Sequence, residues 1–351
     1  NNNPNEKFMI ICPWLDLSKQ IKKILKQYKI NTSFIGDGCH IIEENVIICT
    51  NLSIEHIPTD IQFKYIFLDE AHHVEIDNEH TTNKTILKIK KLNFSKLILF
   101  SATFKDQTVL DYNYSMREAI DDGYVSDYIL HIEYFSEGDK LDALSQVVKN
   151  NLNWGPILIY FSNTERCKIF NKKLSNIGVN SAYITGKTKS KKRIKLIKKL
   201  KNKEMDIVCL CGCWNEGISI DNIQTVIFGD IRHSKINKIQ IAMRANRLYK
   251  DKPFYRIVVP LQESDYDTKD MSELIKSFVE IDPTLKQSIL DKSSNRIRIR
   301  DNRKKDNNCE LNAELISEEI YNSLGRLVES DMERRYKLFR QECKQLGRTP
   351  K

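Results

Sequence analysis

The sequence predicts an α/β protein with two tandem domains, each built on a parallel sheet flanked by helices, followed by a helical carboxyl-terminal extension. Two observations carry this prediction. Short runs of Ile, Leu, Val and Phe, such as 8–12 and 157–161, alternate with amphipathic stretches along most of the chain. Continuous apolar runs are typical of parallel strands that are buried on both faces, and their alternation with helices indicates βαβ units. The pattern restarts near residue 150, which indicates a second domain.

The same pattern divides the chain into four parts. We expect the first domain over residues 1–107 and the second over 151–262, with an inter-domain connector over 108–150. The charged remainder, 263–351, is expected to be a helical extension. Within it lies a basic block with these cations: Arg296, Arg298, Arg300, Arg303, Lys304 and Lys305. For that block a nucleic-acid arm and a disordered linker remain equal alternatives.

Charge and cysteine content restrict the class of protein. The 351 residues include 56 Lys and Arg against 47 Asp and Glu, a net charge of +9. This excess favours a polyanionic partner, nucleic acid before a membrane surface, although solvated lysine faces explain it equally well. No apolar run is long enough to span a bilayer. Nine cysteines without a CxxC pair suit a reducing compartment, so we expect a cytoplasmic or nuclear protein, including one of a viral replication site or virion.

Three cysteines, Cys209, Cys211 and Cys213, alternate along one apolar run. On a strand they would share a face, which raises the question of a metal site. Free cysteine behaves as a small buried hydrophobe, and the sequence offers no second ligand pair nearby. We therefore expect core packing rather than metal binding.

The most specific motif in the sequence is a pair of carboxylates at the end of a predicted strand. Asp69, Glu70, Ala71 and His72 directly follow the apolar run 65–68. Ligands bind at the carboxyl ends of strands in open α/β sheets. Mg²⁺ prefers oxygen ligands and keeps several waters, so one carboxylate can hold it beside phosphates. A second carboxylate can deprotonate an attacking water. Asp69 is therefore the candidate Mg²⁺ ligand and Glu70 the candidate base, with a chance turn as the alternative.

The motifs around this signal form an ordered series. Ser101, Ala102 and Thr103 follow the next apolar run, and their spacing from Asp69 resembles the DEAH box and SAT motif of superfamily 2 helicases. Upstream, Pro13 lies in a segment similar to motif Ia. Thr50 and Ser53 lie in one similar to motif Ib. In the family both segments contact the nucleic-acid backbone, for which hydroxyl groups are suitable ligands.

The series continues in the second half of the chain. Ser162 lies in a segment that resembles motif IV, and Gly186, Thr188 and Arg193 match a Gly-x-Thr-x4-Arg element of the family. The stretch from Gly186 to Thr188 also mimics the end of a Walker A loop. A true loop needs glycine five positions earlier, where Ser181 stands.

Motifs V and VI carry the residues expected near the nucleotide. Gly217 lies in a segment similar to motif V, although Ser219 replaces the usual aspartate. Gln240, Arg244 and Arg247 match motif VI. The guanidinium groups suit charge that spreads over a transferring phosphoryl group. Because the two arginines are three positions apart, we expect them on one helix face. Ile241 and Met243 depart from the family pattern.

The resemblance covers roughly residues 8–255 and implies two RecA-like domains that hydrolyse ATP, with Mg²⁺, between them. It gives catalytic roles to Asp69, Glu70, Arg244 and Arg247, and nucleotide contacts to His72, Gly217 and Gln240. It assigns nucleic-acid contact or coupling to these residues: Pro13, Thr50, Ser53, Ser101, Thr103, Ser162, Gly186 and Thr188. Segment 114–128 resembles the inter-domain segment of restriction-enzyme motor subunits and large-DNA-virus helicases, which favours DNA.

No Gly-x4-Gly-Lys-Ser/Thr loop stands before Asp69, and the chain does not begin with Met. We therefore expect a fragment of a longer motor that hydrolyses ATP poorly or not at all by itself. Two alternatives stay open: a catalytically inactive, nucleic-acid-binding remnant of such a motor, and an RNA helicase.

Overall fold

The computed structural model describes residues 6–71, 82–101, 111–136, 138–212, 220–230, 235–250, 252–262, 265–292 and 296–302, with isolated positions 318, 322, 324, 325 and 340 beyond them. The described residues form two compact units. The first extends to Tyr112 and the second begins at Asn113.

The first unit is built on a five-stranded parallel sheet with the order β2-β3-β1-β4-β5. Its strands are β1 Lys7–Cys12, β2 Thr32–Ile35, β3 Val46–Thr50, β4 Gln62–Leu68 and β5 Asn93–Leu99. Its helices are α1 Leu15–Gln27 and α2 Lys84–Ile89. Fully buried side chains of the central strands, such as Met9, Ile47 and Ile66, form its core.

Local sequence explains where these helices begin and end. In α1, Asp16 lies in the first turn and Lys26 in the last, which complements the helix dipole. Asn83 caps α2, because its side-chain oxygen accepts hydrogen bonds from the N–H groups of Thr85 and Ile86. All five strands are parallel, so their carboxyl ends lie along one edge of the sheet.

The second unit is built on a seven-stranded parallel sheet with the order β12-β6-β11-β10-β7-β9-β8. Its strands are β6 Asp127–Phe135, β7 Ile157–Phe161, β8 Ser181–Thr185, β9 Ile207–Cys211, β10 Thr225–Phe228, β11 Phe254–Gln262 and β12 Ile297–Asp301. Its helices are α3 Met116–Asp121, α4 Lys140–Asn150, α5 Thr164–Asn176, α6 Ser190–Lys201, α7 Lys235–Ala242, α8 Asp265–Ile281 and α9 Pro283–Asp291.

Two parallel sheets flanked by helices confirm the predicted fold class of tandem RecA-like domains. The strand expected at 157–161 is found with those bounds. Cys209 and Cys211 are buried in the core of the second sheet, while Cys213 lies outside the described residues. Within the described part of the chain, no helix is both long and apolar enough to cross a membrane.

The structure differs from the expected connector 108–150. This stretch contains α3, β6 and α4, and β6 pairs with both β11 and β12 inside the second sheet. The strand β6 was not recognised in the sequence, because the polar residues His131 and Glu133 interrupt its apolar run although both are buried. Part of the expected connector is therefore an interior strand of the second sheet.

The structure also differs inside the expected helical extension 263–351. Helices α8 and α9 agree with the expectation, but 297–301 forms the edge strand β12. Here isoleucine and arginine alternate, and Ile297 is buried while Arg298 and Arg300 are exposed. That period of two is typical of a half-buried strand. The basic block is thus, over this stretch, neither an arm nor a disordered linker.

Candidate functional site

The predicted motif residues of the first unit lie side by side along one edge of its sheet. Strands β3, β1, β4 and β5 are neighbours in that order, so their carboxyl ends follow one another. Thr50 ends β3, Pro13 follows β1, Asp69 and Glu70 follow β4, and Ser101 comes just after β5. Backbone hydrogen bonds join these ends. The Asp69 N–H donates to Ile11 O at 3.0 Å and the Phe100 N–H to Leu68 O at 2.9 Å.

Asp69 is half-buried at the end of β4. Its Oδ1 accepts a 2.9 Å hydrogen bond from the N–H of Glu70. Burial raises the pKa of Asp69, and the hydrogen bond from Glu70 opposes that rise. A cation beside the carboxylate would favour the ionised form. Asp69 is therefore suited to bind a metal ion, because the cation would stabilise its negative charge.

The backbone of Glu70 lies in the left-handed region, with φ of 51°. A non-glycine residue in this region is strained by about 1–2 kcal/mol. Hydrogen bonds on both sides hold the turn, since the Glu70 N–H donates to Asp69 and the Ala71 N–H donates to Phe100 O at 2.8 Å. Strain of this kind concentrates at functional sites, and here it falls on the candidate base.

The residues around Asp69 fit an ion that brings ligands of its own. Across the described ranges, no group of three or more His, Cys, Asp or Glu side chains converges as a metal cage. Mg²⁺ commonly takes one or two carboxylates and completes its shell with water and phosphate oxygens. Asp69 therefore fits a magnesium ion that arrives with a nucleotide.

The two hydroxyl residues predicted near nucleic acid contact each other. The Oγ1 of Thr50 donates to the Oγ of Ser53 at 2.9 Å, and the N–H of Ser53 donates to Thr50 Oγ1 at 3.2 Å. Pro13 is buried on the neighbouring strand end, and the N–H of Asn51 donates to Cys12 O at 3.0 Å. The strand ends that carry motif segments Ia and Ib are thus adjacent and joined by a hydrogen bond.

In the second unit, Asp230 fixes the turn that carries Ser162. Both oxygens of its carboxylate accept a hydrogen bond from the Ser162 N–H, at 2.9 and 3.1 Å. Asp230 is buried just after β10, and Ser162 is exposed just after β7. A Cβ at Gly229 would lie 2.3 Å from the Phe161 ring, so only glycine fits between the two strand ends.

Gly186, Thr188 and Arg193 meet in one closed turn after β8. Thr188 Oγ1 accepts a hydrogen bond from the Thr185 N–H at 3.0 Å. Arg193 spans the turn, because its Nε donates to Thr188 O at 2.8 Å and its Nη2 donates to Gly186 O at 3.0 Å. The guanidinium of Arg193 therefore holds the shape of this turn.

Arg244 and Arg247 do not share a helix face, and that expectation is wrong. Helix α7, which carries Gln240, ends at Ala242; Arg244 lies in a short 3-10 turn, and Arg247 forms an isolated bridge with Val125. The Ile241 and Met243 positions, which depart from the family pattern, lie where the α-helix stops. The side chain of Arg247 is half exposed, and its Nη1 lies 3.4 Å from Asp221 Oδ1.

Sequence reasoning missed Lys252, which is buried behind this turn. Its Nζ donates to the carbonyl oxygens of Asp221 at 3.2 Å, Ile223 at 3.2 Å and Ala245 at 2.8 Å. Burial lowers the pKa of Lys252 to about 8. One ammonium thus joins the loop before β10 to the turn that carries Arg244. A lone lysine gives no sequence signal for such a position.

Three of the predicted residues, His72, Thr103 and Gly217, lie outside the described residues. The roles assigned to the remaining residues stay predictions. Those of motifs Ia to IV lie at or just after strand ends, whereas Gln240, Arg244 and Arg247 lie in and after helix α7.

Two family models match the chain in succession. Residues 1–106 match the family described as "Type III restriction enzyme, res subunit". Residues 139–249 match the "Helicase conserved C-terminal domain". The boundary between the two matches falls close to the boundary between the two compact units.

A curated relative and solved structures agree with these matches. "Putative ATP-dependent helicase IRC3" of Saccharomyces cerevisiae is 23% identical over 300 residues, which is 72% of this chain and 43% of the relative. The chain therefore spans less than half of that relative's length.

Two solved structures share the fold at low identity. The ATP-dependent Type ISP restriction-modification enzyme LlaBIII bound to DNA has a TM-score of 0.72 and 14% identity, over 93% of this chain and 30% of that one. S. cerevisiae Dbp5 bound to RNA and ADP BeF3 has a TM-score of 0.58 and 16% identity, over 93% and 83%. The two family models, matched in the expected order, and the similarity to IRC3 support a superfamily 2 helicase, and the fold agrees with this family.

Proposed function

We propose that this chain is the motor body of an ATP-dependent nucleic-acid helicase or translocase, with DNA as its track. The observation that carries the proposal is the row of Thr50, Pro13, Asp69, Glu70 and Ser101 along one sheet edge. Neighbouring strands are about 4.8 Å apart. Groups suited to phosphate chemistry and groups suited to a nucleic-acid backbone are therefore one strand spacing from each other, which suits coupling between them.

Residues of both units would take part in hydrolysis. Bound ATP with Mg²⁺ supplies the phosphoanhydride bond and the ion that neutralises its charge. Asp69 would hold the ion, and the carboxylate of Glu70 would accept the proton of the attacking water. Arg244 and Arg247 would stabilise the negative charge on the transferring phosphoryl oxygens. Gln240, with His72 and Gly217, would contact the nucleotide.

The strand-end hydroxyls and turns would hold the track. In the first unit these are Thr50 and Ser53, beside Pro13. In the second unit, Ser162, Gly186 and Thr188 lie in turns whose shapes Asp230 and Arg193 fix. Backbone N–H groups and hydroxyls bind phosphate oxygens without reading sequence. Ser101, with Thr103, would couple the nucleotide to this surface.

Support for DNA over RNA comes from relatives. Segment 114–128 resembles that of restriction-enzyme motors, and the first family model is that of a restriction-enzyme subunit. LlaBIII is bound to DNA, whereas Dbp5 is bound to RNA. An RNA helicase therefore remains the alternative within the same mechanism.

A catalytically inactive, nucleic-acid-binding remnant is the second candidate. Ser219 in place of the usual aspartate, together with Ile241 and Met243 in motif VI, favours it. A remnant would keep the backbone-binding turns while losing hydrolysis.

The test is ATPase activity of the natural full-length protein with and without single-stranded DNA or RNA. Glu70→Gln should abolish nucleic-acid-stimulated hydrolysis while sparing ATP binding, because only the proton acceptor is lost. Glu43→Gln, an exposed change before β3, is the matched control. Normal turnover in Glu70→Gln would remove Glu70 from its role. An unmodified protein that binds nucleic acid without hydrolysing ATP would support the remnant.

A further inference from the structure

Three arginines gather on one face of the second sheet. They are Arg256 on β11 and Arg298 and Arg300 on the edge strand β12, and we name them the guanidinium cluster. Strand β6 lies between, with His131 opposite Arg298 and Glu133 opposite Arg300. Paired residues of parallel neighbours point to the same side of a sheet. Since Arg256 is paired with Ile129, two residues before His131, all these side chains share a face.

The indole ring of Trp154 lies beside two members of the cluster, Arg256 and Arg300. The guanidinium carbon of Arg256 lies 5.9 Å from the centre of the Trp154 ring, and that of Arg300 lies 5.6 Å from it. The imidazole of His131 lies 5.3 Å from the same ring. Arg300 Nη1 also donates to Asn151 Oδ1 at 3.2 Å. The neutral partners Trp154 and Asn151 orient the guanidinium groups without cancelling their charge.

The guanidinium cluster is separate from the motif residues of the same unit. Arg298 and Arg300 lie on the edge strand β12, and Arg256 lies on β11, two strands away. Ser162 and Gly186 follow the carboxyl ends of β7 and β8, and β8 forms the opposite edge of the sheet. Strand β10 lies between β11 and β7, so the separation runs across the sheet.

The cluster carries positive charge that its surroundings do not balance. Among the residues that the structure describes, none of its three members has a carboxylate within 4.0 Å, whereas Arg296 beside it is 2.9 Å from both Asp127 and Asp282. Burial and the neighbouring Arg298 and Arg300 lower the pKa of Arg256.

The two other titratable groups on this face do not offset that charge fully. Burial, with the three arginines, lowers the pKa of His131 to about 3, so the ring is neutral at pH 7. His131 is 1% exposed, and neither ring nitrogen has a hydrogen-bond partner within the described residues. Burial raises the pKa of Glu133, which makes its charge costly, and Asn302 donates to its Oε2 at 2.8 Å.

We propose that the guanidinium cluster binds the phosphate backbone of nucleic acid at a site distinct from the motif edge. The proposal rests on the proposed function and adds a second contact to the same track. Planar guanidinium groups match phosphate oxygens with paired hydrogen bonds and keep their charge at all physiological pH values. Exposed Arg298 and Arg300 offer such groups on an open edge, and a polyanion would relieve the repulsion among the three cations.

The experiment measures binding of the 351-residue chain to labelled 20-nucleotide DNA and RNA strands at several salt concentrations. Arg298→Gln with Arg300→Gln should weaken binding and reduce the slope of log affinity against log salt by about 1.4, since each phosphate contact to a single strand contributes roughly 0.7. The matched control is Lys195→Gln with Lys198→Gln. Both lysines are exposed on α6, beyond β8. This double variant should leave more of the slope intact.

Three outcomes would overturn the proposal. They are no binding by the unmodified chain, an unchanged slope in the arginine variant, and equal losses in the arginine and lysine variants. Competition by polyglutamate as effective as by the oligonucleotide would indicate an acidic protein partner instead. Arg298→Lys with Arg300→Lys should recover part of the slope because charge is restored, and a thermal melt of each variant establishes that it is folded.

Failure here and failure of the proposed function give different results. If the arginine variant binds nucleic acid like the unmodified protein, and the full-length protein has nucleic-acid-stimulated ATPase activity, only the cluster proposal is refuted. If the arginine variant binds more weakly, and the full-length protein has no ATPase activity, the motor proposal is refuted and the cluster proposal stands.

Discussion

The ammonium nitrogen of Lys252 lies 2.8 Å from the carbonyl oxygen of Ala245, directly behind the turn that presents Arg244. The same nitrogen donates to the carbonyls of Asp221 and Ile223. The buried ammonium group of Lys252 therefore connects the loop before β10 to the turn after α7, two segments that belong to separate sequence motifs. The candidate phosphoryl-stabilising arginines depend on a lysine that belongs to no motif.

Replacing this lysine should loosen the second unit. Lys252→Met leaves three carbonyls without their donor, and we expect a loss of about 2 kcal/mol in unfolding free energy. Denaturant unfolding measures it. Lys250→Met, an exposed change two positions away, should alter stability by less than about 0.5 kcal/mol. Equal effects of the two changes would contradict the linking role of Lys252.

Replacing Glu70 by glycine should relieve the backbone strain at this position although it removes the candidate base. Glu70→Gly removes the left-handed strain, whereas Glu70→Ala keeps it. We expect the glycine variant to be more stable than the alanine variant by about 1 kcal/mol. Both lose the candidate base, so the comparison isolates the backbone. Thermal unfolding of the two variants checks it, and a less stable glycine variant would show that the turn is not strained.

Arg296 and Arg298 lie two residues apart and should differ sharply. Arg296 pairs with Asp282, which is fully buried and also accepts from the Tyr128 hydroxyl at 3.0 Å. Arg296→Gln leaves that carboxylate poorly compensated, and the loss should be about 3 kcal/mol. Arg298→Gln should stay within about 0.5 kcal/mol, because the side chain is exposed. Denaturant unfolding decides, and a comparable loss in both would be the contrary result.

The buried His131 predicts acid sensitivity. Its pKa of about 3 in the folded protein lies below the ordinary 6.5, so the unfolded chain binds the proton first as pH falls. The stability that a neutral His131 contributes is complete above pH 6.5. It is lost at about 1.4 kcal/mol per pH unit between 6.5 and 3.

Replacement of this histidine tests the acid sensitivity. His131→Phe should flatten the dependence of unfolding free energy on pH in that window, while His56→Gln, an exposed change, should not. Curves of equal slope in His131→Phe and the unmodified protein would exclude His131 as the source.

Local pattern explains what sequence alone could predict. Asp69 and Ser162 directly follow apolar strands and Thr50 ends one, and such strand ends can be predicted from the sequence one segment at a time. Lys252 and His131 could not be found this way, because their environments are made by residues distant in sequence. The edge strand β12 was not predicted, because its arginines made the segment resemble a basic block although they alternate with isoleucine. The position of Arg247 after α7 could not be predicted either, because its backbone contacts Val125 and Ser126, which are distant in sequence.

The left-handed backbone at Glu70 carries a conformational cost that another residue would avoid. Glycine adopts the same conformation without the steric cost of a Cβ atom. Stabilising this turn by substitution therefore removes the candidate base, so at this one residue thermal stability and the proposed chemistry make opposite demands.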